Sequence, residues 1–590
     1  MQFPTIPKTS EKNILDDIFS VIGRHPFLIL GMLTMVNCGI FFFCDDKKLS
    51  PFSLFSLFIL YTIVSVTVIF FIKGITSPTN GFSQYHLFTI TISIGLIVTF
   101  LSAVPENNIV SVFWFSLAAA LMFSVFLFAK GKLNTKYLSA VIIFLGFALR
   151  LTYILYTTIY ERQHDNYELG HLGGHLGYIT HFANDLFSLP KENVMDISQY
   201  YHPPLHHFIA GLFLNCLEWT GFEELNDIGE CIQYLTLFYS SVCMILIYKI
   251  LRFFKVNGSP LLAGISIAAF HPTMIILSGS VNNDILSVAF MLGAIYNALL
   301  YYRSHTYYNI LKTALCVGLA MMSKLSGWLA APAVAVIFIT VMITENKQRV
   351  LIFKQWLAFG IVCAPLGLWW SIRCLIEYDM PIGYVMGFKK TIAMYLGDKY
   401  TVWQRLTDFS SFQFESVYDQ YEWYHCPYYE YNPTIGLFKT AMFDEAQYGV
   451  ELEFWATALF WVNILLVLLS LIAIVYVLRV KSTVVDNPLK LSLLLNYAVP
   501  VVSYYIFCME YPFTCTMNVR YVVPSILTSI VFISLLMQSL KDKQKAVNKP
   551  YTNIIPGIYG VTTAIFCILA IVTYVRIGHI PAVYDGVVLQ

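Results

Sequence analysis

Charge is what this sequence has least of. Across 590 residues only 12% are Asp, Glu, Lys or Arg while 57% are hydrophobic, whereas soluble domains carry roughly a quarter charged residues. A chain so poor in charge has no means of covering itself with a water-facing surface. The 36 basic and 35 acidic side chains nearly cancel, which excludes the strongly basic balance of a nucleic-acid-binding protein. The twelve cysteines form no CxxC pair, which argues against a zinc ribbon or a redox motif. Cys216 and Cys231 are close enough in sequence for a disulfide if their loop is extracytoplasmic; two free thiols are the expectation. No internal repeat and no low-complexity tract is present. Residues Met1 to Arg24 are polar and lack a signal-peptide pattern, so the first apolar run is expected to stay as a span.

Long apolar runs are plentiful. A hydrocarbon core about 30 Å thick needs about 20 apolar residues per helix. Such runs lie near 26–44, 51–72, 86–103, 109–129, 137–157, 231–254, 260–279, 284–302, 309–326, 328–344, 352–376, 453–479, 486–508, 520–540 and 554–576. The expectation is therefore an all-α polytopic membrane protein with about 15 transmembrane helices. We divide it into a four-span N-terminal extension (1–130), a transmembrane module (131–376) whose first outer loop is 158–230, an extracytoplasmic loop segment (377–452), and C-terminal helices (453–590).

Basic residues fix the orientation, because Lys and Arg concentrate in cytoplasmic loops. Clusters at Lys73, Lys130/Lys132/Lys136, Lys249/Arg252/Lys255, Lys347/Arg349/Lys354, Arg479/Lys481/Lys490 and Lys541/Lys543/Lys545 all fall inside on one condition. The apolar run 204–218 must not cross the membrane, and we read it as a helix at the outer interface. The two large polar segments, 158–230 and 377–452, then face outward, together with the loops at Val281–Asp284 and Glu510–Arg520. The one Asn-X-Ser match, Asn257-Gly258-Ser259, falls inside and should not be glycosylated.

The chemistry-bearing residues thus collect on one face. The first outer loop opens with Tyr160-Glu161-Arg162-Gln163-His164-Asp165 and runs through His171, His175 and His181 to Tyr201-His202-Pro203-Pro204-Leu205-His206-His207. Seven of the thirteen histidines lie between 164 and 207. Asp165, just beyond the membrane, is placed to take a proton from an acceptor hydroxyl as a general base; pairing with Arg162 or capping a helix is the plainer reading. Asn282-Asn283-Asp284 precedes a span, where capping accounts for one of the three polar residues. Lys324 interrupts an apolar stretch near an outer helix end, where a cation marks a site or snorkels to the interface. Arg373 follows Trp369-Trp370 at another outer end. Arg520-Tyr521 opens a span from outside against the positive-inside trend, which a lipid-linked phosphate would justify. His171 and His175, four apart, would share a helix face as zinc ligands do, although Leu172-Gly173-Gly174 is a poor helix former. Histidines and aromatics also line sugar pockets.

Taken in order, these elements resemble the C-type glycosyltransferases, and among them glycosyltransferase family 39, which includes the protein O-mannosyltransferases, and the related aminoarabinose transferases. The resemblance covers roughly 137–540 and rests on Asp165 soon after a span, the 171–185 segment, His202-Pro203-Pro204-Leu205, Asn283-Asp284, Gly318-Leu319-Ala320 to Lys324, and Pro365 to Arg373. It implies a helical bundle that moves a sugar from a polyprenyl-phosphate donor to a protein, lipid or glycan acceptor. Asp165 would be the base and Asp284 would position it or the acceptor. Lys324 and Arg520 would hold the departing phosphate, and direct displacement would invert the anomeric centre. His164, His181, His202, His206, Asn283, Arg373 and Tyr521 complete the expected substrate-binding set. Gln163-His164-Asp165 stands where some relatives carry two acids, so a divalent metal stays open and no metal ligand is named. A bacterial plasma membrane, with the site on the cell-envelope side, is the expected location and the endoplasmic reticulum the alternative. A secondary transporter, with polar residues near the bilayer midplane, and a non-catalytic polymer-handling protein are the competing readings.

Overall fold

The structure, a computed structural model, describes residues 109–129, 131–219, 229–392, 394–412, 430–445, 452–481, 485–547 and 554–578, with the pairs 583–584 and 587–588. The chain divides into two compact units. The first, Met1–Val104 with Leu217–Glu223, lies almost wholly outside the described residues, and with it the expected spans 26–44, 51–72 and 86–103. The second holds everything considered below.

The second unit is helical. In chain order it contains α1 (Ser111–Ala129), α2 (Thr135–Tyr156), α3 (Gly174–Asn184), α4 (Leu205–Glu218), α5 (Ile232–Phe253), α6 (Ser259–Phe270), α7 (Pro272–Gly279), α8 (Asp284–Arg303) and α9 (Tyr307–Ser323). These are followed by α10 (Ala331–Thr344), α11 (Arg349–Tyr378), α12 (Val402–Thr407), α13 (Pro433–Phe443), α14 (Glu453–Arg479), α15 (Asn487–Glu510), α16 (Val523–Val547) and α17 (Ile554–Ile577). The strands among the described residues are two-residue pieces, β1 (Val583–Tyr584) and β2 (Val587–Val588).

Each of the twelve expected runs that falls on described residues is helical. Ten helical stretches are long and apolar enough to cross a membrane, and α6 with α7, bent by 43° at His271-Pro272, makes an eleventh. The twelfth, α9, has 17 residues, about 25 Å at 1.5 Å per residue and slightly short of the hydrocarbon thickness. The protein is an all-α polytopic membrane protein. The expected total of fifteen spans includes the three outside the described residues. The 204–218 run is α4, 14 residues long, about 21 Å, too short to cross. Cys216 and Cys231 are not joined in a disulfide.

Two features of the packing place the site. Helix α8 packs on α9, and α9 on α11, so Asp284 at the start of α8 and Lys324 at the end of α9 arrive at the same end of an antiparallel pair. On the other side α2 lies against α6. A Cβ on Gly146 would come within 2.7 Å of the Ala269 Cβ, so glycine there permits the approach. The bend between α6 and α7 then turns α7 toward the first loop. The Gln163 amide donates to the Gly279 carbonyl at 2.8 Å and accepts the Val281 N–H at 2.9 Å, which ties the end of α7 to the residues just before Asp165.

Candidate active site

The first-loop acid is held by backbone. Asp165 sits at φ +56°, in the left-handed region that Asp tolerates better than most side chains. Its carbonyl accepts the His175 N–H at 3.0 Å, from the first turn of α3. Gly174 starts that helix at φ +68°, and a Cβ there would lie 2.8 Å from both the Asp165 carbonyl and the Tyr167 nitrogen. The glycine pair that weakens 171–175 as a helix is thus what lets the acid-bearing turn press onto the start of α3.

A cavity of about 440 Å³ opens beside this turn, and Asp165, His164, His202, Asn283, Asp284, Lys324, Arg520 and Tyr521 all line it. Four chain regions supply them: the first loop, the start of α8, the turn after α9, and the turn before α16. Lys324 pairs with Asp284. Arg520 Nη2 lies 3.6 Å from Asp165 Oδ2 and 3.3 Å from the Tyr521 hydroxyl. The Asn283 amide donates to the Ser323 carbonyl at 2.8 Å, locking the start of α8 to the end of α9 beside Lys324. The Arg520 Nε–H is buried and meets no acceptor among the described residues. The Asp165 side chain keeps 30% of its surface exposed while Arg520 keeps 11%, so water reaches the carboxylate more readily than the guanidinium.

Three expected site residues stand elsewhere. His181 binds the Ser188 carbonyl at 2.9 Å, on the far part of α3. His206 is completely buried beside His207 and Tyr239. Arg373 donates to the Pro190 carbonyl and pairs with Glu377 at 2.7 Å, so it braces the first loop against α11 without lining the cavity. The His171–His175 metal pairing does not form either. Helix α3 starts after His171, which pairs with Glu168 at the surface, while His175 Nδ1 is 2.9 Å from His207 Nε2. Among the described residues no three His, Cys, Asp or Glu side chains are arranged to hold a metal ion.

Sequence reading missed a second group of acids. Just past α13, Asp444 Oδ2 accepts the His164 Nε2 proton at 2.7 Å, and Glu445 Oε2 is 3.5 Å from His164 Nδ1. The Asn518 amide donates to Asp444 Oδ1 at 2.7 Å and to Glu445 Oε1 at 2.9 Å. Burial works against a charged His164, but the Asp444 and Glu445 carboxylates outweigh it and the opposing Arg520, so the imidazole holds its proton to higher pH than usual. Burial likewise disfavours an ionised Asp444, and the charge and hydrogen bond of His164 reverse that and keep it ionised. At Glu445 burial prevails and raises the pKa. The available signal was two adjacent acids directly after an apolar stretch, in a chain with few acids.

A polytopic helical bundle with carboxylates and cations facing one cavity has the makings of a membrane glycosyltransferase. Residues 201–370 match the family model described as dolichyl-phosphate-mannose-protein mannosyltransferase. That stretch contains His202, Asn283, Asp284 and Lys324, whereas Asp165 precedes it and Arg520 follows it. That stretch, under half of the chain, is therefore mannosyltransferase-like in sequence, and the match supports a membrane glycosyltransferase. No curated protein matches the sequence. Among solved structures the chain is similar to the crystal structure of the Archaeoglobus fulgidus oligosaccharyltransferase in the apo form, at 11% identity and a TM-score of 0.43, over 74% of this chain and 56% of that one.

Proposed function

We propose that the protein transfers a sugar from a polyprenyl-phosphate carrier to a hydroxyl of a protein, lipid or glycan acceptor, on the extracytoplasmic face of its membrane. The observation that carries this reading is the convergence of Asp165, Arg520 and the Asp284–Lys324 pair on one cavity. Asp165 takes the proton of the acceptor hydroxyl as its oxygen attacks the anomeric carbon. The bond from that carbon to the phosphate oxygen breaks, and its electron pair leaves with the lipid phosphate. Arg520, whose Nε–H is unengaged, and Lys324 stabilise the charge that develops there, as fixed donors do best where water is excluded. Asp284 holds Lys324 in place before the donor arrives. A single displacement inverts the anomeric centre.

The test is transfer or release of labelled sugar from a panel of polyprenyl-phosphate sugars, with Asp165→Asn as the control. Removing the base should cost roughly 10²–10⁴-fold in turnover while the variant stays monodisperse and binds polyprenyl phosphate. Full turnover in Asp165→Asn would remove Asp165 from the role. A wild-type protein that binds no polyprenyl phosphate and turns over no donor would instead favour the transporter.

A further inference from the structure

We infer that Asp444 is a positioning residue that fixes the proposed base, Asp165, and the proposed phosphate-binding cation, Arg520, at one separation; this rests on the glycosyltransferase reading. Asp165 follows His164 by one residue, and Arg520 follows Asn518 by two. Both anchors end on the same carboxylate: His164 on Oδ2 at 2.7 Å and Asn518 on Oδ1 at 2.7 Å. The carboxylate's two oxygens thus span the gap between the two loops.

The hub is itself rigid. Asp444 closes α13, its N–H bonded to the Thr440 carbonyl at 2.9 Å. The Thr440 hydroxyl accepts the Val519 N–H at 2.9 Å, so the same helix end grips the Arg520 turn a second time. The Asn518 side chain accepts the Arg520 N–H at 2.9 Å, which sets the backbone of the residue that carries the guanidinium. His164 and Asp444 are only 6% and 5% exposed, so water does not compete for these bonds. The charged groups that face His164 are Asp444, Glu445 and Arg520. The pair is therefore intact while His164 keeps its proton and lost as pH rises through its raised pKa.

Asp444→Asn keeps size and shape but removes the charge that holds His164. A shift of the base by about 1 Å should lower kcat on the order of 100-fold, while the donor KM changes by less than about threefold, because the base acts on the acceptor proton only in the transition state and its misplacement lowers kcat and kcat/KM equally. Wild type should also lose kcat on the alkaline side, above pH ~6.5, the ordinary histidine value, and Asp444→Asn and His164→Gln should both lack that limb. If Asp444→Asn fails to fold, the two arms are broken singly. His164→Gln should lower kcat alone, and Asn518→Ser should raise the donor KM through Arg520. Asp444→Asn with wild-type kcat, a retained alkaline limb in His164→Gln, or identical losses in kcat and KM from both arms would overturn the inference and leave a merely structural tie. Inactivity of the wild type toward every donor would sink the parent reading and this inference together.

Discussion

Arg150 is fully buried in the middle of α2, and among the described residues no carboxylate pairs with it. Its guanidinium instead binds carbonyls: Ala269 at 2.5 Å, Ala268 at 2.9 Å, Gly146 at 2.9 Å and Met274 at 3.2 Å, with the Ser240 hydroxyl at 2.9 Å. The break between α6 and α7 explains this set. In a continuous helix the Ala268 carbonyl would take the N–H of residue 272, which is proline and has none, and α6 ends before Ala269 finds a helical partner either. A cation at a helix C-terminus also suits the helix dipole. Arg150→Met leaves those two carbonyls without a donor, at about 1–3 kcal/mol each, so about 2–6 kcal/mol gross. Relief of the guanidinium's own desolvation cost, several kcal/mol for a buried ion, offsets part of that. The expected net loss is roughly 2–3 kcal/mol. Thermal unfolding in detergent should rank wild type above Arg150→Lys above Arg150→Met, because the lysine ammonium keeps the charge but lacks the fork to reach both sides of the bend. Because α7 leads to the Gly279 and Val281 contacts with Gln163, turnover should fall in the same order. An Arg150→Met protein as stable as wild type would refute the account of the bend.

Arg520→Gln and Lys324→Gln should each reduce turnover by roughly 10²–10³-fold, the usual effect of removing one donor to a developing anion, and should weaken binding of polyprenyl phosphate in a flotation assay; unchanged binding in both would remove the phosphate role. Gly174→Ala places a methyl 2.8 Å from the Asp165 carbonyl at a positive φ, so it should lower the melting temperature and turnover together, and a silent substitution would show that the turn has another way to pack. Burial pushes His202 down to about 3 and His206 down to about 4, and it pushes His175 and His207 well below the ordinary histidine value. The unfolded chain takes up protons near pH ~6.5 that the folded one refuses, so stability should fall as pH drops below that, by about 1.4 kcal/mol per pH unit for each histidine. His206→Phe should flatten the acid slope of the melting temperature by about one histidine's share, and an unchanged slope would mean that His206 is protonated in the fold. His164, with its pKa raised, acts with the opposite sign and only above ~6.5.

What the sequence revealed of this site follows from how a membrane constrains a chain. Spans alternate in direction, so polar residues at every second turn must share one face, and this alone brought Asp165, Asn283, Asp284, Lys324 and Arg520 together before any contact was known. The alternation says nothing of lateral position. Arg373 shares the expected face, yet its side chain turns to Pro190 of the first loop, while Ser371 on the same helix end lines the cavity. His181 lies on α3, seventeen residues past His164, and the helix carries it off toward Ser188. His206 opens α4 in the histidine-rich run that begins at His202, but helical geometry turns neighbouring side chains about 100° apart, and His206 points into the core.

The partners that sequence reading missed share a different origin. Asp444, Glu445 and Asn518 gain their meaning from contacts across 280 and 74 residues, His164 to Asp444 and Asp444 to Asn518, in segments outside the regular alternation. Arg150 was hidden for the converse reason: a single cation in the interior of a 22-residue apolar helix, with Lys136 at its start the only other, does not disturb the hydropathy that marks a span. Its clue lay 121 positions away in His271-Pro272, where a proline within a membrane-length apolar run must leave a carbonyl without its helical donor. A buried arginine in one span and a proline break in another form a donor and acceptor surplus that no bilayer water can settle. The fold settles it by placing α2 against α6, with Gly146 making room for the contact. The same pairing aims α7 at Gln163, so the requirement that polar backbone be satisfied inside the membrane also fixes where the acid at position 165 stands.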